Sequence, residues 1–153
     1  MIVTFCGHSN CSLTEDEKQI LNETLISIIT NNTKCVFYLG GYGNFDAHCL
    51  KVLNIFKKTY NNIEVVFVTP YLYSNYNKLK FANEYYDYTL YPPLENTPLK
   101  FAIIKRNEWL VLNSDYLICY INKNYGGAFT MFNYAKKRNL PFINISKQLK
   151  QFP

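Results

Sequence analysis

The chain predicts an α/β fold in three layers, a mostly parallel sheet with helices on both faces, and two observations predict it. Short apolar runs alternate with helical stretches along almost all of the 153 residues, which is the pattern of a parallel sheet covered on both sides. All six glycines fall in three places, each after an apolar run: Gly7, then Gly40, Gly41 and Gly43, then Gly126 and Gly127 beyond a short polar link. If those runs are parallel strands, their carboxyl ends share one rim. Open α/β sheets bind ligands at that rim, and glycine there lets a backbone approach a ligand closely or take φ > 0. One site built from three loops is therefore expected.

Each element has a local reason. Residues 2–6 read as a buried strand. Thr14 and Glu17 form a capping box, and Ile20, Leu21, Leu25, Ile28 and Ile29 follow at helical spacing, so a first helix covers about 15–31. Residues 34–39 are the second strand. Asn44 is the expected N-cap of the next helix, about 45–60, with Ala47, Leu50, Val52, Leu53 and Phe56 on its apolar face. Residues 63–68 are the third strand. A loop and short helix run through Tyr85, then a shorter strand at 87–91, and Pro92-Pro93 breaks the chain. Thr97-Pro98 reads as an N-cap with proline at the first helical position, opening a helix to about Asn113. Residues 116–121 are a strand. Gly126-Gly127 opens the last helix, which ends on Lys136, Lys137 and Arg138, basic residues that suit a helix carboxyl end. Residues 142–145 are the last strand. With no repeat, linker or low-complexity segment, the whole chain 1–153 is one domain.

A chain this long buries roughly 68–70% of its unfolded surface, enough for a full core. Apolar residues at 48% and charged residues at 18% describe a globular chain. The net charge of +5 favours anionic partners. It is carried almost wholly by lysine and forms no dense basic stripe, which disfavours a nucleic-acid track. The five cysteines are odd in number and lack a Cys-x-x-Cys pair, so they read as reduced, mostly buried thiols. No signal-peptide pattern and no run of 18 apolar residues is present, so a cytoplasmic protein without membrane contact is expected. No cluster with metal-ligand spacing emerges, and no resident cofactor is called for.

The chemistry concentrates on the glycine rim. Tyr125-Gly126-Gly127-Ala128 leads into a helix whose free N–H groups and dipole favour an anion, with Thr130 able to add a hydroxyl. The same turn also serves close helix–strand packing. It is neither a Walker loop nor a Gly-x-Gly-x-x-Gly fingerprint. Gly40, Gly41, Tyr42 and Gly43 repeat the physics, and Asp46 in the following helical turn either complements the dipole or accepts hydrogen bonds from ribose hydroxyls. Arg106 is one of only two arginines. Its planar fork suits phosphate, so Arg106→Ala should weaken binding and leave the fold intact. Asn107 stands beside it. Asp115 either anchors a turn or serves the site, and His8 follows Gly7 on the rim. From the residues, the site takes a phosphate-bearing, ribose-bearing molecule. No reaction follows, with Asp46 and Asp115 the only candidate catalytic carboxylates.

Gly7-His8, Gly-Gly-Tyr-Gly-x-Phe-Asp at 40–46, Arg-Asn-x-Trp at 106–109, Ser114-Asp115, Tyr-Gly-Gly-Ala at 125–128 and Tyr134-Ala135-Lys136 together resemble the SLOG superfamily, in particular its small YpsA-like branch. The resemblance runs from residue 2 to about 145. It implies a Rossmann-like sheet that binds nucleotides or nucleotide-derived signals such as ADP-ribose or nucleoside phosphates. Such a protein acts as a sensor or sequestering protein, with a possible link to phage or mobile-element defence. It also implies a homodimer or higher assembly, for which the aromatic helix about 101–112 could pair. The LOG-type phosphoribohydrolases of the superfamily carry Pro-Gly-Gly-x-Gly-Thr-x-x-Glu, with the Glu catalytic. Gly126, Gly127 and Thr130 match that pattern, Phe129 replaces its third Gly, Asn133 replaces its Glu, and Arg106 matches the arginine of that group. The phosphate cradle is kept and the catalytic acid is missing, which favours a binder over an N-glycosidic hydrolase or transferase. Single-stranded DNA binding of the DprA kind is a second alternative.

Overall fold

A computed structural model describes residues 1–72, 82 and 84–147. Six strands form one sheet: β1 (Ile2–Gly7), β2 (Cys35–Leu39), β3 (Ile63–Val68), β4 (Tyr88–Leu90), β5 (Tyr116–Tyr120) and β6 (Phe142–Asn144). Every pairing is parallel, in the order β4-β3-β2-β1-β5-β6. Four α-helices have described ends: α1 (Glu15–Thr30), α2 (Gly43–Phe56), α3 (Ala102–Leu112) and α4 (Gly127–Lys137). The architecture is a three-layer, Rossmann-like α/β fold.

The layers follow from strand alternation. In β1, Val3 and Phe5 face a core with Leu21, Leu25 and Ile29 of α1 and Phe45, Cys49 and Leu53 of α2. Cys6 faces the opposite core, with Leu110 and Val111 of α3 and Met131, Phe132 and Ala135 of α4. On α1 the buried positions are Glu17, Leu21, Leu25 and Ile29, one row at intervals of four. Truncating a fully buried leucine such as Leu25 to alanine costs about 2–5 kcal/mol.

The capping box at Thr14 and Glu17 forms as expected. Glu17 is nearly inaccessible, and its second oxygen accepts from Lys147 N at 3.1 Å, tying α1 to the strand end beyond β6. Three helix boundaries differ from expectation. Asn44 is not the N-cap of α2: Tyr42 holds that place, because Asn44 N donates to Ser9 O at 2.9 Å and is drawn into the first turn. α2 also ends at Phe56, where residues 57–60 tighten into turns on Ile55 O and Phe56 O. Thr97 makes no helix cap. Its N–H donates to Leu94 O, and a 3₁₀ turn, Leu99–Phe101, precedes α3. The expected loop and short helix before Tyr85 lie mostly outside the described residues, although Glu84 and Tyr85 are helical. All five cysteines are free, and all but half-buried Cys11 are buried.

Candidate functional site

Strand order reverses between β1 and β5, and the carboxyl ends of a sheet at such a switch point part to leave a crevice. A cavity of about 330 Å³ lies there. Gly7, His8, Gly40, Tyr42, Asp46, Arg106, Asn107, Tyr125, Gly126, Gly127 and Ala128 line it, so the three glycine loops meet there and α3 adds a fourth segment with Arg106 and Asn107. Ser9, Asn10, Lys123 and Met131 also line it and were not expected. Lys123 could have been found, since it sits in the polar link between β5 and Gly126.

The loop after β2 is organised from within. Asp46, on the first turn of α2, is buried and accepts from Gly40 N at 3.0 Å and Gly41 N at 3.1 Å, and the backbone of Tyr42 also bonds to it. Of its two expected readings, these bonds favour an acid that serves its own helix turn over an acceptor for ribose hydroxyls. Burial raises its pKa to about 6, against the opposing pull of Arg106 and the three backbone groups. Desolvation disfavours the charged form, and hydrogen bonds to the carboxylate favour it.

Arg106 reaches the same loop from α3. It is buried, its Nη1 donates to Gly40 O at 3.0 Å and Val68 O at 2.7 Å, and its Nε donates to Asn107 Oδ1 at 2.9 Å. Its guanidinium carbon lies 5.7 Å from the centre of the Tyr42 ring. A methyl on Gly40 would sit 2.9 Å from Arg106 Nη2, so that glycine makes room for the arginine. Arg106 therefore clamps the ends of β2 and β3. Those contacts make its removal costly to stability, which the sequence reading did not anticipate.

His8 does comparable work on the loop after β5. Its Nε2 accepts from Asn122 N at 3.2 Å and Lys123 N at 3.1 Å. Two donors on one ring nitrogen require that nitrogen to be unprotonated. Burial, then the charge of Lys123, lowers the His8 pKa below its ordinary 6.5, in agreement with the geometry.

The third loop differs. Gly126 caps α4 with φ 93°, a left-handed conformation that favours glycine. Gly127 is the first helical residue and has no such need. Beyond its chain neighbours and its own helix, a methyl built on it meets no atom of the described residues within 4 Å. α4 has no acidic residue in its first turn, whereas α1 has Glu15, Asp16 and Glu17 and α2 has Asp46. The first-turn N–H groups of a helix have no intrahelical acceptor, and here no carboxylate of the same turn answers them.

Four expected residues fall elsewhere. Gly41 and Gly43, both at positive φ, line a separate apolar groove with Ala47, Leu50, Ile55, Tyr85 and Tyr86. The Thr130 hydroxyl donates back to Gly126 O at 3.1 Å within its own helix. Asp115 sits at the opposite edge of the sheet, where its Oδ2 accepts from Ile2 N at 2.7 Å. A residue that precedes a parallel strand lies at the amino end, so Asp115 cannot share the rim. Among the described residues no group of three or more His, Cys, Asp and Glu side chains could hold a metal, and no helix is long and apolar enough to cross a membrane.

Solved structures share this fold. DNA processing protein A from Helicobacter pylori, described for its single-stranded DNA binding mode, superposes with a TM-score of 0.62 at 15% identity over 99% of this chain and 72% of its own. TM1055, a structural genomics target, gives 0.56 at 14% identity over 92% of this chain and 71% of its own. The molybdenum cofactor carrier protein of Chlamydomonas reinhardtii gives 0.55 at 15% identity over 92% and 73%. No family model and no curated protein matches the chain.

Proposed function

We propose that the protein binds a nucleotide or nucleotide-derived signal in the switch-point cavity, as a sensor or sequestering protein of the SLOG type. Its phosphate sits at the amino end of α4 beside Lys123. One observation carries this reading: Gly127 lacks a side chain where neither its backbone nor any neighbour requires that, and the space so kept opens on helix N–H groups that carry no resident anion. Helix amino ends of that kind favour phosphate. The ordered motifs that resemble SLOG proteins and the shared fold support the same reading.

Binding without hydrolysis fits the carboxylates. Asp46 is the only acid among the cavity-lining residues, and its loop already bonds it. Position 133, on α4, holds Asn. Exposed Tyr125 at the cavity mouth favours single-stranded DNA as a second reading, since a ring there can stack on a base. Self-association through α3 and the 3₁₀ turn before it is part of the proposal, because Leu99, Phe101, Ile103 and Ile104 are all exposed.

The test is calorimetry with AMP, ADP-ribose, adenine and a short oligonucleotide on wild type and Gly127→Ala. Phosphate-bearing nucleotides should bind and adenine should not. Gly127→Ala should keep or slightly raise the unfolding midpoint, since alanine is the better helix former, and weaken nucleotide binding at least tenfold. Asp115→Asn, at the far edge, should bind as wild type. Equal affinity for adenine and AMP, or normal binding by Gly127→Ala, would sink the reading. Tighter binding of the oligonucleotide than of any mononucleotide would install the second one.

A further inference from the structure

Two glycine turns open helices on this rim, and one of them already holds an anion of the protein's own. At the amino end of α2, the N–H groups of Gly40 and Gly41 both donate to Asp46 Oδ2, and Tyr42 adds a third backbone bond. Converging backbone donors at a helix amino end are what a phosphate would otherwise use. The cation closest in effect, Arg106, has its Nη1 on the carbonyls of Gly40 and Val68 and its Nε on Asn107. At this end of the cavity the Asp46 carboxylate has its donors engaged and offsets the charge of Arg106, while the α4 end presents N–H groups and Lys123 without an acid. The cavity is electrically polar from one loop to the other.

We propose that Asp46 is a specificity-determining residue. It fills the first glycine turn with the protein's own carboxylate, so the cavity takes ligands with a single anionic end and rejects those with a second, separated phosphate. This rests on the phosphate reading above and narrows it to ligands with one contiguous anionic group, of which nucleoside monophosphates are the simplest, bound with the phosphate at α4 and the uncharged part toward Asp46. A second phosphate there would find the loop N–H groups already taken and the charge of Arg106 offset by Asp46, so it would be desolvated without a compensating partner. With a pKa near 6, Asp46 is an anion at pH 7.5.

Calorimetry at pH 7.5 with the four nucleoside 5′-monophosphates and the matching 3′,5′-bisphosphates tests it. For the base that binds, wild type should hold the bisphosphate at least tenfold more weakly than the monophosphate. Asp46→Asn keeps an oxygen for the loop N–H groups and removes the charge, so the two affinities should come within about threefold. The ratio is read on one protein sample, so a merely structural loss, which lowers both affinities together, leaves it unchanged. If Asp46→Asn does not fold, the wild-type ratio decides alone. A bisphosphate bound as tightly as the monophosphate by wild type, or an unchanged ratio in folded Asp46→Asn, overturns the inference and leaves the phosphate site standing. Binding of neither ligand class overturns the phosphate reading and this inference with it.

Discussion

Replacing Arg106 with methionine should destabilise the fold by about 4 kcal/mol at pH 8, and the loss should shrink on acidification. The side chain donates to Gly40 O, Val68 O and Asn107 Oδ1 from a buried position. Hydrogen bonds to charged groups contribute about 1.5–3 kcal/mol each, and such losses are not additive within one network. Arg106 is also the charge that opposes the burial of Asp46, and leaving a buried charge without its compensation costs about 3–5 kcal/mol. Methionine keeps most of the stem's packing, so the polar terms dominate. Against a total stability of about 5–15 kcal/mol this is a large fraction. The pH dependence follows from Asp46. Its folded pKa, about 6, is raised above the ordinary 3.8. The stability this provides is fully present below 3.8 and is lost as pH rises through about 6. Without Arg106 the folded pKa moves higher still, so the ionisation penalty grows, by about 1.4 kcal/mol for each further pKa unit. Urea unfolding is read through Trp109, the only tryptophan, whose ring lies 5.7 Å from that of Tyr38. Arg106→Met should lose at least about 1.4 kcal/mol more at pH 8 than at pH 5, and Asp46→Asn should abolish that difference. A cost below about 1 kcal/mol at pH 8, or one equal at both pH values, would refute the coupling of Arg106 to Asp46.

Two further predictions concern the rest of the site and its surroundings. The His8 pKa is lowered, so the bonds from Asn122 and Lys123 to its Nε2 are stable above 6.5 and are lost as pH falls through the folded value. The amide resonances of both residues should shift together with the imidazole as it titrates below 6.5, and an imidazole that titrates while both amides stay fixed would contradict the assignment. Self-association should give a light-scattering mass of at least two chains at micromolar concentration, reduced to one by Ile104→Lys; a wild-type mass of one chain rules it out.

What the sequence reveals and what it hides divide along the range of the interaction. The strand at 63–68 matches the structure at both ends because an apolar run bounded by polar residues needs no distant information. The capping box at Thr14 is equally local. Asn44 and Thr97 have the right chemistry for caps, but whether a cap forms depends on which distant carbonyl captures the backbone, and for Asn44 that is Ser9 O. Arg106 bonds to residues 66 and 38 positions away, which no spacing rule can see. Asp115 was legible: its place before β5 fixes it at the amino edge of a parallel sheet.

The six glycines, alike in the sequence, have different causes in the fold, and the difference bears on function. A methyl on Gly7 would lie 2.4 Å from the Phe45 ring, and one on Gly40 would press on Arg106. Those two are explained by packing, and substituting them would damage the core whether or not a ligand exists. Gly126 is explained by its φ of 93°. Gly127 has no cause within the described protein, and that makes it informative. Substitution there separates binding from stability, which a change at Gly7, Gly40 or Arg106 cannot do because each sits inside the packing. A site argued only from its most buried residues would be tested only by variants that unfold. This one can be tested at an exposed position where the protein itself has nothing to lose.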